Sequence, residues 1–309
     1  MNVWVIAETS ALATELVSGA KKITKDAAQI TAFVGGDEAA GKHVAACGAS
    51  KVTVMPLLAQ AMWEDYTPAL VEKAKAEAPA IILVGATKRG KDMAAQMAVL
   101  LDAPCVSDCK SMSLEGDTKT NARMIYGGMA LKTMTTTAPT VIAVVAAKSF
   151  EPLEEGASSG TVDTMPAPAA GQVVVTGRTA KVAGGVNLAD AAKVVGIGRG
   201  FVEQSEVPLA ENLAKAMGAE MACSRPIAEF FKWMPEEAYL GISGQIIKPQ
   251  VYIAAGISGQ VQHLSGVRDA KIIVSVNKDE NAPMNAMSDY FIVGDIKEVL
   301  PELTKAFSA

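Results

Sequence analysis

The chain has 309 residues, of which 50% are hydrophobic and 20% are charged, and it carries 28 Lys and Arg residues against 33 Asp and Glu residues. This composition is typical of globular proteins and unlike that of disordered chains. The slightly negative balance provides no basic surface for nucleic acid or for an anionic membrane, so we expect neither as a partner. The length is sufficient for two domains of ordinary size.

The apolar runs are all shorter than the roughly 18 residues that a membrane-spanning helix needs. The first predicted strand, Val3–Ala7, begins close to the first residue. We therefore expect a cytoplasmic protein that has no signal or transit peptide and does not span a membrane. The four cysteines lack the paired spacing of a metal site, and we expect them to be reduced structural thiols.

Short β-rich runs alternate with helical patterns over the first 150 residues, which predicts parallel βαβ units. Residues 107–132 instead have the pattern of an antiparallel ribbon with a turn at Gly116-Asp117. The first domain is therefore predicted to be an α/β domain with a mixed sheet. Its strands are predicted at 3–7, 29–34, 51–55, 80–85 and 140–146, and its helices near 10–25, 37–47, 67–78 and 91–102.

A segment rich in Pro, Gly and small residues runs from Glu151 to about Gly185, with one strand-like insert at 172–176, and indicates a connection between domains. We place an N-terminal docking domain with its linker at 1–185 and a second domain at 186–309. The pattern of the second domain predicts a doubly wound parallel sheet. Its strands are predicted at 193–197, 220–224, 251–255, 271–276 and 290–293, with helices around 205–217 and 296–307.

A glycine-rich turn, Gly196-Ile-Gly198-Arg199-Gly200, follows the first strand of the second domain. Glycines in such a turn allow a backbone to approach a phosphate closely. The GxGxG spacing differs from the GxGxxG of dinucleotide sites. The pattern is therefore compatible with a tight structural turn and with a nucleotide-binding site.

Two further strand ends carry groups that suit a ligand. Ser224 and Arg225 follow the second strand, and an Arg guanidinium provides a permanent charge and planar donors for a phosphate or an anionic ring. A salt bridge between domains is the alternative for Arg225. Ser243 lies in a Gly-containing segment and either bonds a ring nitrogen or belongs to an ordinary loop.

The segment from Gly256 to His263 couples a turn to the start of a helix. Its backbone N–H groups at 258–260 can bind a pyrophosphate, and His263 can donate to an acidic ring oxygen, although a satisfied helical histidine is the alternative. Asn277 and Asp295 end the last two strands and either hold a ribose or an adenine or are ordinary strand-end residues. The sequence has no hydrolytic triad, HExxH or Walker loop, so a cofactor would have to supply the reactivity.

These residues occur in the order and spacing of the FAD-binding domain of the electron-transferring flavoprotein alpha subunit. The resemblance is dense over 193–307, through the segments VGIGRG, ACSRP, GISGQIIKP, VYIAAGISGQVQH, NKDENAP and SDYFIVGDIKEVLPEL. It is looser over 1–185, where ATKRGKDMAAQMA looks like the family's first domain. The segment Cys223-Ser-Arg-Pro is similar to the bacterial branch associated with nitrogen fixation and carnitine pathways.

The resemblance implies a heterodimer with a beta subunit, in which the second domain of this chain binds one FAD. The pair would take electrons from an acyl-CoA dehydrogenase of fatty acid β-oxidation, or from an NADH-linked flavoenzyme. It would pass them to a membrane quinone oxidoreductase or another flavoprotein. Some members of this branch bifurcate electrons with a second FAD in the beta subunit. The chain by itself would be an electron carrier more than an enzyme.

Matching the motifs residue by residue implies roles for single side chains. Arg199 would contact the FAD pyrophosphate with Ser224 beside it, and Arg225 would lie over the isoalloxazine and stabilise the anionic semiquinone. Ser243 occupies the family's Ser/Thr position facing flavin N5, and Ile242 stands where Gln often occurs. His263 would reach flavin O2. The loop around it would be formed by Ser258, Gly259, Gln260, Val261 and Gln262. The AMP half would be bordered by Asn277, Asp295 and Ile296.

Two other functions compete with this one. An NAD-dependent Rossmann-type dehydrogenase would use the turn at 196–200, bind NADH and lack flavin colour. A cofactor-free scaffold subunit would have no physical need of the polar set formed by Arg225, Ser243, His263 and Asn277.

Overall fold

The structure is a computed structural model, and it describes residues 1–25, 28–58, 61–156, 160–168, 171, 173–177, 179 and 188–308. The chain divides into two compact units, Met1–Thr179 and Ala180–Ala309. The domain boundary predicted between residues 185 and 186 lies outside the described residues. Among the helices described, none combines the length and the apolar character that crossing a bilayer requires.

The first unit contains ten strands and four α-helices in its described part. Its strands are β1 (Asn2–Ala7), β2 (Gln29–Gly35), β3 (Lys51–Met55), β4 (Ile81–Gly85), β5 (Cys105–Val106), β6 (Cys109–Glu115), β7 (Thr118–Ile125), β8 (Ala130–Thr136), β9 (Val141–Val145) and β10 (Thr161–Thr164). Its helices are α1 (Ser10–Thr24), α2 (Glu38–Ala46), α3 (Thr67–Glu77) and α4 (Lys88–Leu101).

A seven-stranded parallel sheet forms the centre of the first unit, in the order β10-β3-β2-β1-β4-β9-β5. Its central strands are mostly apolar, as is usual for strands that are buried on both faces. In β1, Val3 and Val5 belong to one core cluster, whereas Trp4 and Ile6 belong to another. The first cluster includes residues of α1 and the second includes residues of α4, so helices cover both faces.

The antiparallel ribbon predicted from the sequence is a three-stranded sheet in the order β6-β7-β8. The chain reverses between β6 and β7 at Gly116, whose φ of 58° is a conformation that glycine adopts without strain. The predicted α/β class is confirmed. Within the described residues, the antiparallel strands form a sheet of their own and do not extend the parallel one.

The connecting segment that was predicted to start at Glu151 contributes a strand to the first sheet. In β10, Thr161 pairs with Lys51 and Thr164 pairs with Val54, in parallel with β3. The prediction of a connection without a strand at these four residues is therefore wrong. An edge strand with mostly exposed side chains has no hydrophobic period, and for that reason the sequence pattern did not mark it.

The second unit contains five strands and five α-helices in its described part. Its strands are β11 (Lys193–Ile197), β12 (Glu220–Cys223), β13 (Val251–Ala255), β14 (Ile272–Asn277) and β15 (Tyr290–Val293). Its helices are α5 (Val207–Met217), α6 (Arg225–Glu229), α7 (Val261–Val267), α8 (Pro283–Met287) and α9 (Ile296–Ser308).

These strands form one parallel sheet in the order β12-β11-β13-β14-β15, which confirms the predicted doubly wound sheet. Val195 and Ile197 of β11 pack on one face with residues of α5 and α9. Val194 and Tyr252 belong to the core on the other face. The strand order reverses between β11 and β13. In sheets of this kind, ligands bind at the carboxyl ends of the strands beside such a reversal.

Candidate functional site

A cleft of about 840 Å³ lies at the carboxyl ends of β11 and β13 in the second unit. Its volume is in the range of small-molecule and cofactor sites. Gly259 and Val261 are predicted site residues that do not line it, although they belong to the loop and helix start that do. The other twelve predicted site residues all line the cleft: Arg199, Ser224, Arg225, Ile242, Ser243, Ser258, Gln260, Gln262, His263, Asn277, Asp295 and Ile296.

Two glycines bring the loops after β11 and β13 into backbone contact. The Gly200 N–H donates to the Gly256 carbonyl oxygen at 2.8 Å. A Cβ atom at Gly200 would lie 2.5 Å from the Gly256 Cα, and one at Gly256 would lie 2.7 Å from the Gly200 Cα. Gly256 also has a φ of +60°. The sequence needs glycine at both positions because any side chain would push the two loops apart.

The loop between β13 and α7 presents backbone donors. Among the described residues, the N–H groups of Ser258, Gly259 and Gln260 have no hydrogen-bond partner. Gly259 holds the loop against α8, because its φ is +84° and a Cβ there would lie 2.2 Å from the Met284 nitrogen. Unpaired backbone N–H groups in a tight loop are suited to bind an anion.

Arg225 is the first residue of α6 and is exposed at the cleft. Its Nε donates to Glu229 Oε2 at 2.7 Å, one helical turn further on. This ion pair, together with the hydrogen bond, raises the pKa of the guanidinium. The pair lies within a single helix, which differs from the inter-domain salt bridge considered from the sequence. Solvent screens such an exposed pair, so Arg225 can exchange Glu229 for an anionic ligand.

The loop that carries Ile242 and Ser243 is tied to the start of α7. The Ile242 N–H donates to the Gln262 carbonyl oxygen at 2.9 Å. Gly241 allows this approach, since a Cβ there would lie 2.9 Å from the same oxygen. Both Ile242 and Ser243 are exposed at the cleft. Ser243, which was predicted to face a flavin N5, and its neighbour Ile242 are therefore held beside the helix that carries His263.

His263 is buried, with 6% of its surface exposed, and it lines the cleft. Its Nε2 lies 2.8 Å from the Tyr252 hydroxyl. Burial lowers the pKa of His263 to about 4, although the nearby Leu240 backbone acts in the opposite direction. His263 is therefore neutral at pH 7, and it can act toward a ligand as a hydrogen-bond donor but not as a cation.

Asn277 joins the loops at two strand ends. Its Nδ2 donates to the Ile257 carbonyl oxygen at 2.9 Å, and its Oδ1 accepts from the Asp279 N–H at 3.0 Å. Both polar atoms of the side chain are thus already engaged by the backbone. The role that the structure shows for Asn277 is to hold the loop at Ile257 in place.

Asp295 directly precedes α9 and Ile296 is its first residue, at the same edge of the sheet. Asp295 Oδ1 accepts from the Lys297 N–H at 2.9 Å, and Ile296 is buried in the core.

Two residues that line this part of the cleft, Glu206 and Lys297, were not predicted from the sequence. The buried carboxylate of Glu206 accepts from Lys297 Nζ at 2.7 Å and from the Val202 N–H at 2.7 Å. An acidic residue shortly after a glycine-rich turn and just before a helix was the available signal for Glu206.

Arg199 differs from two other cations of the cleft, Arg225 and Lys297, in its partners. Arg225 is paired with Glu229, and Lys297 is paired with Glu206. The exposed side chain of Arg199 has neither an ion pair nor a hydrogen bond to any residue that the structure describes. Its charge is therefore available to a ligand without the loss of an existing contact.

Comparison with known proteins gives matches over almost the whole chain. The family described as "Electron transfer flavoprotein domain" matches residues 3–170, and "Electron transfer flavoprotein FAD-binding domain" matches residues 187–268. "Protein FixB" of Salmonella typhimurium is 37% identical over 314 residues, covering 99% of this chain and 98% of that protein. "Protein FixB" of Escherichia coli O157:H7 is 37% identical over 312 residues with the same coverage.

The chain belongs to the electron-transferring flavoprotein family. The matched FAD-binding domain is of the alpha type, which agrees with the resemblance drawn from the motifs. Nothing in these comparisons supports the alternative of an NAD-dependent dehydrogenase. Among solved structures, "Spinosyn Rhamnosyltransferase SpnG" overlaps with a TM-score of 0.28 at 12% identity, covering 100% of this chain and 95% of that one. That overlap is too weak to carry an argument.

The cleft of this flavoprotein chain has the chemistry that FAD requires. Two buried polar atoms at its wall, Ser224 Oγ and His263 Nδ1, have no hydrogen-bond partner among the described residues. A buried polar atom without a partner is unfavourable, and a polar ligand would satisfy it. Unpaired backbone donors and Arg199 suit a pyrophosphate, and the apolar residues Phe201 and Ile257 suit a ring system. No three His, Cys, Asp or Glu side chains in the described part of the chain form a metal site.

Proposed function

We propose that this chain binds one FAD in the cleft of its second unit and carries electrons as the alpha subunit of a heterodimer with a beta subunit. The proposal is supported by one observation above all. The glycine contact between Gly200 and Gly256 lies where the strand order reverses, and twelve predicted site residues line the cleft there. FAD, when bound, supplies the acceptance and release of electrons, which protein side chains do not provide.

The residues of the chain would hold the two halves of FAD differently. Arg199 and the unpaired N–H groups at 258–260 would bind the pyrophosphate, because they offer a free charge and free donors. Arg225, Ser243 and His263 would surround the isoalloxazine. The adenosine half would lie near Asn277, Asp295 and Ile296, and Asn277 holds the neighbouring loop at Ile257 in place.

Arg225 and His263 would set how strongly the site favours a negatively charged ring. The guanidinium of Arg225 is a permanent positive charge at the cleft, and such a charge stabilises an anion nearby. His263 is neutral at pH 7 because burial lowers its pKa to about 4, so it contributes a directed hydrogen bond. Together they would tune the reduction potential without carrying out proton transfer.

The electron donor and acceptor are part of the same proposal. We propose an acyl-CoA dehydrogenase of fatty acid β-oxidation or an NADH-linked flavoenzyme as the donor, and a quinone oxidoreductase or another flavoprotein as the acceptor. If the beta subunit holds a second FAD, the pair would bifurcate electrons.

The first test is an absorbance spectrum of the purified full chain, alone and co-expressed with a candidate beta subunit, with the released flavin identified and quantified. We expect one FAD per chain. Arg199→Ala should weaken FAD binding, whereas Lys215→Ala, which removes an exposed cation outside the cleft, should not. Absence of flavin from both preparations would contradict the proposal, and two FAD per heterodimer would favour bifurcation.

A second test addresses the donor. The flavin-loaded heterodimer is mixed without oxygen with an acyl-CoA dehydrogenase and its substrate, or with NADH and a candidate flavoenzyme. The dehydrogenase that is the electron donor of this protein should, at a catalytic concentration, reduce the flavin and bleach its absorbance. Bleaching by neither system would contradict both proposed donors while leaving the binding of FAD intact.

A further inference from the structure

We infer that Tyr252 fixes the tautomer of His263, so that the imidazole proton is on Nδ1 and is available to an acceptor oxygen of the flavin pyrimidine ring. Tyr252 would act through His263 and is therefore a positioning residue. The inference rests on the proposed function, because the acceptor that it assigns belongs to FAD.

The two side chains meet in the interior of the second unit. Tyr252 lies on β13, the central strand of the sheet, with none of its surface exposed, and it does not line the cleft. Its hydroxyl lies 2.8 Å from Nε2 of His263, which does line the cleft. The ring of Tyr252 passes over Gly196, where a Cβ would lie 2.5 Å from the hydroxyl oxygen. The glycine therefore leaves the space in which this hydroxyl reaches the histidine.

The neutral imidazole of His263 has two nitrogens, and only one of them carries a proton. Because burial lowers the pKa of His263 to about 4, the ring holds one N–H donor and one acceptor nitrogen near neutral pH. Which nitrogen carries the proton then decides what the histidine offers to the cleft. In such cases the partner of one ring nitrogen determines the state of the other.

A count of hydrogen bonds favours the proton on Nδ1. Burial also raises the pKa of Tyr252 far above its ordinary value, so its hydroxyl keeps a proton that needs an acceptor. Among the described residues, His263 Nε2 is the partner of that hydroxyl. If Nε2 carried the proton instead, both the Tyr252 O–H and the Nδ1 lone pair would be buried without a partner.

The other ring nitrogen faces an environment that suits a donor. Nδ1 is buried and has no hydrogen bond of normal geometry to any described residue. The Leu240 backbone nearby favours the protonated ring, as expected of a carbonyl acceptor close to an N–H group. Leu240 also lines the cleft. An acceptor oxygen on a bound ring would give this N–H the strong partner that it lacks.

The tautomer can be measured directly by nitrogen NMR on the full chain labelled with ¹⁵N-histidine. The chain has two histidines, so His43→Gln assigns the signals. We expect His263 Nδ1 to be protonated and Nε2 to be unprotonated. Tyr252→Phe removes the hydroxyl alone and should shift part of the proton population to Nε2. Tyr66→Phe is the matched control, because it removes another buried hydroxyl, 3.0 Å from the Pro56 carbonyl oxygen.

The binding of FAD gives a second readout. We expect Tyr252→Phe to raise the FAD dissociation constant about threefold to tenfold, the range for loss of one hydrogen bond. Tyr66→Phe should leave it unchanged. In a His263→Gln background, Tyr252→Phe should have no further effect on FAD affinity, because a positioning residue acts only through the side chain that it positions.

The outcomes separate this inference from the proposed function. Absence of FAD from the unsubstituted protein would contradict both. If FAD binds, but Tyr252→Phe weakens its binding no more than Tyr66→Phe does, only the inference is contradicted. A proton on Nε2 of His263 in the unsubstituted chain would also overturn it. That measurement does not depend on Tyr252→Phe, so it decides the question even if this variant does not fold.

Discussion

Gly200 and Gly256 hold two loops together through one backbone hydrogen bond, in which the Gly200 N–H donates to the Gly256 carbonyl oxygen at 2.8 Å. The contact joins the carboxyl ends of β11 and β13, the two strands beside the reversal of strand order. Since a Cβ at either glycine would lie within 2.7 Å of the other Cα, the base of the cleft depends on residues that have no side chain.

Gly256→Ala should lower the free energy of unfolding by about 3 kcal/mol, because the new Cβ both crowds Gly200 and strains the backbone. Gly218→Ala is a matched control in the same domain. Gly218 has a φ of +61°, close to the +60° of Gly256, but no atom lies within 4 Å of the position that a Cβ would take there. Denaturant unfolding of both variants should show a loss of only about 1 kcal/mol for Gly218→Ala. Equal losses of unfolding free energy in the two variants would show that the contact between the loops does not contribute to stability.

Substitutions at the Arg225–Glu229 pair should shift the flavin potential in opposite directions. Arg225→Ala removes a positive charge from the cleft and should lower the midpoint potential, whereas Glu229→Gln removes the carboxylate that partly neutralises Arg225 and should raise it. A shift of up to about 60 mV is expected, the value that a tenfold change in relative affinity produces in a one-electron couple.

The potentials can be measured by anaerobic reductive titration against a reference dye. The control is Lys42→Ala, which breaks an ion pair of the same i, i+4 spacing between Glu38 and Lys42 in the first unit. That variant should leave the potential unchanged. Shifts of the same sign for Arg225→Ala and Glu229→Gln would rule out a direct electrostatic action of this pair.

The stability of the protein should fall as the pH falls below about 6.5. His263 has an ordinary pKa of 6.5, which burial lowers to about 4 in the folded state. Between these two pH values the unfolded chain binds the proton and the folded chain does not, so protonation favours unfolding. The histidine should account for a loss of about 1.6 kcal/mol between pH 6.5 and pH 5.

Denaturant unfolding at both pH values would check this expectation. His263→Gln should remove that part of the pH dependence. His43→Gln should retain it, because His43 is partly exposed and pairs with Glu155 at the surface. If His263→Gln unfolds with the same pH dependence as the unsubstituted chain, His263 does not titrate as its burial indicates.

Asn277→Ala should lower the free energy of unfolding by about 2 kcal/mol, because it leaves the Ile257 carbonyl oxygen and the Asp279 N–H without their partner. It should also weaken FAD binding, since the loop at Ile257 forms a wall of the cleft. Asn281→Ala, at an exposed asparagine four residues later, should change stability by less than about 0.5 kcal/mol. Calorimetry with and without FAD would measure both effects.

Much of this architecture could be predicted because its signals are local. A continuous apolar run such as Val251–Ala255 marks a buried parallel strand wherever it occurs, and the glycines at 198 and 200 mark the turn that follows β11. The parallel class follows from the alternation of such strands with helices. These features require no knowledge of which residues meet in space.

Several contacts that were not predicted join separate elements of the fold. Tyr252 and His263 are eleven residues apart, on a strand and on a helix, and their hydrogen bond depends on how α7 packs on the sheet. The pairing of Thr161 with Lys51 spans more than one hundred residues and involves no apolar pattern. Propensity and periodicity report on single segments, so neither can specify such partners.

The strand β10 has a consequence for the connection between the two units. Its four residues pair with β3 at the edge of the first sheet, and Met165 directly after it is buried, with its N–H donating to the Val54 carbonyl oxygen at 2.8 Å. The contour length of the tether therefore begins after Met165 at the earliest and not at Glu151. That difference of 14 residues, from 151 to 165, removes about 50 Å of fully extended chain.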